Sequence, residues 1–217
     1  MPSFFFSDIC GTLYKVNTSY SFLAYYFRRN NRIKGAYFQL LLSLPAKVVW
    51  KLGGAVMDME WLRKHLLGLL KGEREEVVAL EAKAFVREVL PKFKNQAAWE
   101  KIDQDIPLIL VSATISPLAK AIAVEMGAEA YFATEMEVKD GIYTGRIASD
   151  VRGEKLALLS DSSYASYLSQ SCFMTDNVED LPLVKSVKEA IIITKSQRNQ
   201  QFWAEQQVPG LHYLKSQ

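Results

Sequence analysis

The sequence contains little cysteine and little histidine. Only Cys10 and Cys172 occur among its 217 residues, too few for a disulfide framework. Both lie in or beside apolar, strand-like stretches, so we expect reduced thiols and a cytoplasmic protein. The histidines, His65 and His212, lack the spacing of metal ligands, and we expect neither to bind a metal.

No charge of one sign prevails in the chain. There are 26 Lys and Arg residues against 24 Asp and Glu residues, which gives a formal net charge of +2. Proteins that bind nucleic acid electrostatically carry a basic excess. The balance therefore argues against a nucleic-acid partner. The hydrophobic fraction of 49% is typical of a globular domain.

Long hydrophobic runs are also missing. The first residues, MPSFFFSD, have no basic start before a short apolar run, so we expect no signal peptide. The stretch nearest to a membrane span, residues 35–57, contains Pro45, Lys47 and Lys51. A span needs about 20 predominantly apolar residues, so the sequence predicts no transmembrane helix. Contact of an amphipathic helix with a membrane surface stays open.

The sequence does contain the pattern of strands that alternate with helices. Short apolar runs bounded by turn or polar residues predict strands over residues 4–9, 107–113, 172–177 and 189–194. Residues 135–147 predict a β-hairpin that turns at Asp140-Gly141. Between the first two strands the spacing is helical, without a convincing strand.

Two further helices are predicted after the second long strand. Ser116 is expected as an N-cap with Pro117 at the first helical position, and this helix ends at Gly127. Residues 154–169 also have helical spacing. The alternation predicts an α/β fold on a mostly parallel sheet.

Polar side chains stand at the ends of three predicted strands. Asp8 follows FFFS, Ser112 follows LILV and Asp176 follows CFMT. Ligands of open parallel sheets bind outside the carboxyl ends of the strands, so we expect these three side chains to converge. Lys155, at the start of a predicted helix, would supply a fixed positive charge.

These residues stand in motifs that resemble those of the haloacid dehalogenase superfamily. Its first motif is an apolar strand followed by Asp-x-Asp-Gly-Thr, and here DICGTL begins at Asp8. Its second motif, a strand that ends in Ser or Thr, corresponds to LILVSA with Ser112. Its third is a Lys, here Lys155 of GEK. Its fourth, an acidic pattern, corresponds to TDNVEDLPL with Asp176 and Asp180.

The resemblance covers nearly the whole chain. The helical stretch after the first motif and the hairpin are typical of the phosphoserine-phosphatase-like branch. The resemblance implies a Rossmann-like, doubly wound parallel sheet with an all-helical cap inserted after the first strand. Residues 1–16 and 92–217 would form the core, and residues 17–91 the cap.

The resemblance also implies a metal and a nucleophile. Asp8 would attack phosphorus and form an aspartyl-phosphate. Mg²⁺ would be held by the carboxylates of Asp8 and Asp176 and by the backbone carbonyl of Cys10. Asn177 and Asp180 would lie just outside these ligands.

Phosphate binding would involve other residues of the same motifs. Ser112 and Lys155 would bind phosphoryl oxygens and stabilise charge in the transition state, with Ala113 beside them. Gly11 and Thr12 would shape the turn and present backbone N–H groups.

Two roles are open for Asp180. By resemblance it would orient Lys155 or complete the surroundings of the metal. As an alternative, it caps the helix that starts at Leu181-Pro182.

Cys10 departs from the family pattern. The family has a second Asp there, which protonates the leaving group and then activates water. A thiol has an unperturbed pKa of about 8.5, so it would be a poor base at neutral pH. We therefore expect an impaired Mg²⁺-dependent phosphatase. A catalytically silent protein that binds a phosphorylated ligand or partner is the alternative, and a hydrolase of a non-phosphate bond is a further one.

The predicted cap suggests a substrate class. Arg28, Arg29 and Arg32 follow a run of aromatic residues. This stretch is similar to the corresponding region of bacterial phosphatidylglycerophosphatases of the same branch. A small phosphorylated substrate, including a lipid phosphate at the inner membrane face, would suit it. Monomer and homodimer both remain open.

Overall fold

The computed structural model describes residues 2–43, 59–194 and 196–215. These residues form a seven-stranded sheet with the order β4-β3-β2-β1-β5-β6-β7. All neighbouring strands are parallel except β3 and β4. The α/β fold with a doubly wound, mostly parallel sheet is thereby confirmed. The strands are β1 (Phe5–Ser7), β2 (Leu108–Ile115), β3 (Ala130–Lys139), β4 (Ile142–Ser149), β5 (Cys172–Thr175), β6 (Glu189–Thr194) and β7 (Leu211–Lys215).

Among the described residues between β1 and β2, all the regular elements are helices. They are α1 (Thr18–Asn30), α2 (Arg32–Leu42), α3 (Met59–Gly68), α4 (Glu75–Glu88) and α5 (Gln96–Trp99), with a 3₁₀ helix at Leu90–Phe93. The later helices are α6 (Ser116–Met126), α7 (Lys155–Ser160), α8 (Leu181–Val184) and α9 (Gln197–Glu205). Further 3₁₀ helices lie at Ala165–Gln170 and Val178–Asp180.

The central strands bury both of their faces, which explains their continuous apolar sequences. Phe5 and Met174 face one side, where they join a core with α1, α3, α4 and α6. Phe6 and Phe173 face the other side, where they pack in a second core with Trp203 of α9. The two cores hold β1 between its neighbours β2 and β5, and this fixes where the residues after these strands lie.

The β3–β4 hairpin is confirmed, and it turns at the expected residues. Asp140 and Gly141 have φ values of 51° and 75°, which two-residue hairpin turns need. The hairpin is also tied to the chain after α3, because Tyr143 N–H donates to the Glu73 carbonyl at 2.9 Å. Gly72 N–H donates to the Tyr143 carbonyl at 2.9 Å.

Two local expectations were wrong. The helix α6 begins at Ser116, which makes it the first helical residue and not an N-cap; β2 runs on to Ile115 and leads directly into the helix. The helix expected over residues 154–169 ends at Ser160. The Ser162 hydroxyl donates to the Leu159 carbonyl and accepts from Tyr164 N–H, and this bonding replaces the next helical turn.

Among the described residues, none of the helices is long and apolar enough to cross a membrane. Pro45, Lys47 and Lys51, which interrupt the apolar stretch in the sequence, lie outside those residues. Helix α4 belongs to the expected cap but packs against α6, a helix of the expected core. The division into a core and a cap over residues 17–91 therefore stays a prediction.

Candidate active site

The C-terminal edge of the central strands borders a cavity of about 500 Å³. Asp8 follows β1 and Asp176 follows β5, its parallel neighbour. In β2 the register shifts between Ser112 and Ile115, so the chain bends where Ser112 faces the cavity. Eight expected site residues line it: Asp8, Cys10, Ser112, Ala113, Lys155, Asp176, Asn177 and Asp180.

A buried ion pair network lies at the bottom of this cavity. The Lys155 Nζ donates to Asp8 Oδ1 at 3.0 Å and to Asp180 Oδ2 at 2.8 Å. All three side chains are at most 5% exposed. Burial alone would lower the pKa of Lys155, but the charges of Asp8 and Asp180 outweigh it and raise that pKa above its ordinary value. Lys155 is therefore a fixed cation beside Asp8.

The Asp180 carboxylate is positioned for its contact with Lys155 by a second hydrogen bond. Its Oδ2 also accepts a hydrogen bond from the Thr175 hydroxyl at 2.5 Å, so the carboxylate is fixed from two sides. Asp180 does precede α8, but its side chain makes no capping hydrogen bond. Of the two roles open from the sequence, the contacts match the one that orients Lys155.

The carboxylates of Asp8 and Asp176 are close to each other. The Thr12 hydroxyl lies 3.3 Å from Asp8 Oδ2 and 2.9 Å from Asp176 Oδ1. A hydroxyl donates only one proton, so it cannot satisfy both carboxylates at once. Two carboxylates on either side of one hydroxyl supply the oxygen ligands that a divalent cation such as Mg²⁺ takes, together with bound waters.

The donor set fits Mg²⁺ better than a softer metal. Among the described residues there is no cluster of three His, Cys, Asp or Glu side chains that could hold a metal. Asp8 and Asp176, with the backbone carbonyl of Cys10, would hold the ion, and Mg²⁺ completes its shell with waters. The Cys10 sulfur is not needed as a ligand and is a poor one for Mg²⁺.

Gly11 has the turn role expected from the sequence but not the expected N–H role. Its φ of 80° lies in the region that favours glycine, and this lets the chain turn after β1. Its N–H donates to the Tyr14 carbonyl at 2.8 Å and is not available to a phosphate. The Thr12 side chain is fully buried, and its hydroxyl contacts the carboxylates of Asp8 and Asp176.

The Cys10 thiol donates to a backbone group. Its Sγ lies 3.6 Å from the Val16 carbonyl oxygen. The side chain is half-buried and lines the cavity. A thiol in this geometry directs its hydrogen toward the backbone.

The Ser112 hydroxyl belongs to a chain of hydroxyl groups that joins β2 to α1. Ser112 Oγ lies 3.0 Å from Thr114 Oγ1, which lies 2.8 Å from Thr18 Oγ1. The Ser19 hydroxyl also accepts from Ile115 N–H at 3.2 Å. The first helix after β1 is thereby positioned against the site.

Sequence reasoning missed several residues of the cavity wall. They include Tyr20 of α1, Arg63 of α3, Asn199 of α9, and Arg152, which precedes α7. Arg152 stands three residues before Lys155, and this closeness to a predicted site residue could have identified it. No sequence signal marked the others, since they come from elements distant in the sequence.

Comparison with solved structures shows the fold. A protein of unknown function from Bordetella pertussis Tohama I matches with a TM-score of 0.76 and 23% identity, over 99% of this chain and 98% of that one. A probable phosphoserine phosphatase from Vibrio cholerae matches with a TM-score of 0.61 and 11% identity, over 97% and 60%. A phosphoserine phosphatase solved with substrate matches with a TM-score of 0.57 and 17% identity, over 93% and 90%.

Comparison with curated sequences gives a relative that is named by its reaction. A probable phosphatase of Mycobacterium tuberculosis is 29% identical in an alignment of 168 positions that covers 71% of this chain. The match spans 56% of that relative's length. The expected similarity to phosphatidylglycerophosphatases stays a prediction, because none of the matches described here carries that name.

The family assignment follows from a match over most of the chain. Residues 5–185 match the model of the haloacid dehalogenase-like hydrolases. This range includes all four motifs, from Asp8 to Asp180. The chain belongs to the haloacid dehalogenase-like hydrolase family.

Proposed function

We propose that this protein is a Mg²⁺-dependent phosphatase that hydrolyses a small phosphomonoester through an aspartyl-phosphate on Asp8. The observation that carries the proposal is the buried contact of Asp8 with Lys155, at 3.0 Å, beside Asp176. A carboxylate that attacks an anionic phosphate needs fixed positive charge next to it. Family membership and the probable phosphatase among the relatives support the reaction class.

The chain's own residues would act in two steps. An Asp8 oxygen forms a bond to phosphorus while the bond between phosphorus and the leaving-group oxygen breaks. Lys155 and Ser112 stabilise the charge on the phosphoryl oxygens. Water then attacks the phosphorus, releases phosphate and restores Asp8. Bound Mg²⁺ would supply the charge that lets an anionic carboxylate meet an anionic phosphate.

Cys10 is expected to slow this cycle. The leaving-group oxygen must gain a proton, and the attacking water must lose one. The Cys10 thiol lies within hydrogen-bond distance of the Val16 carbonyl oxygen, which competes with the substrate for its proton. General acid–base catalysis contributes typically about 10²–10⁴-fold, and we expect a deficit within that range. Hydrolysis of the aspartyl-phosphate would be affected most.

The test is phosphate release from a panel of phosphomonoesters, with Mg²⁺ and with EDTA. Wild type, Asp8→Asn and Cys10→Asp are compared. We expect slow release by wild type, none by Asp8→Asn, and faster release by Cys10→Asp. Asp140→Asn is the matched control, because Asp140 is exposed at the hairpin turn and Asn tolerates its positive φ.

Two results would contradict the proposal. Activity that survives in Asp8→Asn would exclude Asp8 as the nucleophile. Phosphate release that is equal with Mg²⁺ and with EDTA would exclude the proposed dependence on Mg²⁺.

A second candidate function is favoured by the orientation of the Cys10 thiol. In this case the protein binds a phosphorylated ligand and does not turn it over. It predicts ligand-dependent thermal stabilisation with Mg²⁺ and no phosphate release by wild type. Release by Cys10→Asp alone would then show that position 10 is the cause. The cytoplasmic location stays a prediction under both functions.

A further inference from the structure

The two arginines of the cavity wall are paired with carboxylates of the protein. The Arg63 guanidinium donates to both oxygens of Asp150, at 2.6 and 2.8 Å. The Arg152 guanidinium donates twice to Glu179, at 2.9 and 3.1 Å, and once to Glu60 at 3.3 Å. The positive charge of each arginine is therefore already compensated by protein carboxylates.

One neutral polar group of the same wall has no such partner. The Asn199 Oδ1 is buried and has no hydrogen-bond donor among the residues that the structure describes. The Tyr20 ring packs edge-on against Phe38 and its side chain lines the cavity. Burial raises the pKa of Tyr20, so its hydroxyl is neutral at pH 7 and both donates and accepts.

Asn17 adds a third neutral group at the cavity wall. Its Oδ1 accepts from Tyr20 N–H at 3.0 Å and caps α1. This contact uses the amide oxygen and leaves the two N–H groups of the Asn17 amide without a partner among the described residues, and Asn17 lines the cavity. The wall therefore offers an acceptor, two amide donors and a hydroxyl.

We propose that the leaving group of the substrate is a neutral alcohol with several hydroxyl groups, as in a sugar phosphate or polyol phosphate. The inference rests on the proposed phosphatase function and names its substrate class. A substrate carboxylate or ammonium group would need an uncompensated charge opposite it when it leaves water. Hydroxyl groups pair with the Tyr20 hydroxyl and with the Asn17 and Asn199 amides without such a charge.

The size and the remaining lining of the cavity agree with this class. A volume of about 500 Å³ lies within the usual range for small-molecule sites, ~300–1,000 Å³. Met59 and Leu67 add apolar surface to the wall. Such surface suits the C–H groups of a sugar or polyol.

The first part of the test compares substrates. The value of kcat/KM is measured for a hexose phosphate, glycerol phosphate, O-phosphoserine, phosphoglycolate and phenyl phosphate, in wild type and Cys10→Asp. We expect the hexose and glycerol esters to be hydrolysed best. A preference for phosphoserine, which has an ammonium and a carboxylate, or for phosphoglycolate would overturn the inference but not the phosphatase function.

The second part removes the neutral groups. Tyr20→Phe and Asn199→Ala are each expected to lower kcat/KM for the preferred polyol ester about fivefold relative to that for phenyl phosphate, because one hydrogen bond is worth about 1 kcal/mol. Tyr213→Phe makes the same change at an exposed tyrosine of β7 and should leave the ratio unchanged. An unchanged ratio in both site variants would contradict the inference.

Binding separates failure of the inference from failure of the proposed function. Asp8→Asn protein with Mg²⁺ is titrated with the same esters by calorimetry. If no variant releases phosphate, the phosphatase proposal fails. The substrate class then still stands if the polyol phosphate binds and Tyr20→Phe weakens that binding. It is overturned if phosphoserine binds better or if no ester binds.

Discussion

The two cysteines of this chain lie in opposite environments. Cys172 is buried in β5, and burial raises the pKa of its thiol to about 12. Cys10 is half-buried and lines the cavity. Because the thiolate is the reactive form, an alkylating reagent should modify Cys10 and spare Cys172 in the native protein at pH 8. Peptide mass spectrometry before and after denaturation measures this difference.

The control for this labelling experiment is Cys10→Ser. This variant should take up no reagent while folded and one equivalent when unfolded. Rapid native labelling of Cys172 would contradict the buried position of β5.

At the residue scale, the sequence predicted which residues line the site better than it predicted the hydrogen bonds of those residues. The residues expected to converge, Asp8, Ser112 and Asp176, do line one cavity, because the ends of parallel strands meet at one edge, and Lys155 lines it from the start of α7. The bonding of the Gly11 N–H was not predictable, because it depends on the turn that the following residues make. The thiol direction of Cys10 depends on the same turn.

At the element scale, the contact of α3 with β4 depends on two glycines. A Cβ atom at Gly145 would lie 2.8 Å from the Gly68 carbonyl oxygen and 2.9 Å from Lys71 Cβ. Its φ is also positive, at 86°. Gly145→Ala should therefore force α3 away from the hairpin and lower the free energy of unfolding, as measured by urea denaturation.

The matched control for this change is Gly141→Ala. Gly141 has a similar φ of 75°, but no atom lies within 4 Å of its added Cβ. Gly141→Ala should lower the free energy of unfolding only by the cost of the backbone conformation, about 1–2 kcal/mol. Gly145→Ala should lower the free energy of unfolding by about 1–3 kcal/mol more, which is the usual cost of overpacking. Equal losses in the two variants would show that the close contact is unimportant.

Helix α2 presents an apolar stripe to solvent. Ile33, Tyr37 and Leu40 follow each other at helical spacing and are exposed. Arg28 and Arg32 stand exposed near the beginning of the stripe. We expect the double variant Ile33→Glu, Leu40→Glu to lose binding to vesicles that contain phosphatidylserine, because both apolar contact and charge attraction are weakened.

Cosedimentation with vesicles measures this binding. Leu80→Glu is the control, since Leu80 is an exposed leucine of α4. It should bind as wild type does. Equal binding of wild type to vesicles of phosphatidylcholine alone, or no binding at all, would contradict the predicted membrane contact.

The C-terminal elements were the part of the fold that the sequence did not indicate. Helix α9 has the sequence QRNQQFWAE, which offers few apolar residues for a periodic signal. It is held by Trp203, which is fully buried against the sheet. Phe202 also packs against this core, and the two aromatic side chains together position Asn199 at the cavity. Tertiary packing, which a local pattern does not contain, decides the position of α9.

At the scale of the whole molecule, the pairing of Arg63 with Asp150 joins α3 to the end of β4. Burial opposes ionisation of Asp150, but hydrogen bonds from Arg63 and the Arg152 N–H outweigh it and hold the pKa of the carboxyl below its ordinary value. A lowered pKa stabilises the fold above the unfolded pKa of about 3.9, and this stabilisation is lost as the pH falls through the folded pKa.

The lowered pKa of Asp150 leads to a prediction for Asp150→Asn. The variant should lose about 1–3 kcal/mol of unfolding free energy at pH 7, because the buried Arg63 loses its two short bonds to a carboxylate and keeps only the longer carboxylate contact, with Glu60. Its difference from wild type should narrow as the pH falls below about 4. Urea denaturation at several pH values measures it. Asp105→Asn, at an exposed aspartate, should show no difference, and a constant gap for Asp150→Asn would contradict the assignment.

The bonds between the hairpin and residues 72–75 also restrict how two copies of this chain can associate. An edge strand with free N–H and C=O groups is a template for a strand of another molecule. On β4, the outward groups of Tyr143 already bond to Gly72 and Glu73, and Gly141 accepts from Glu75 N–H. The irregular register between β3 and β4 further disrupts the edge. A homodimer of this protein, if one forms, is therefore expected to avoid this side of the sheet.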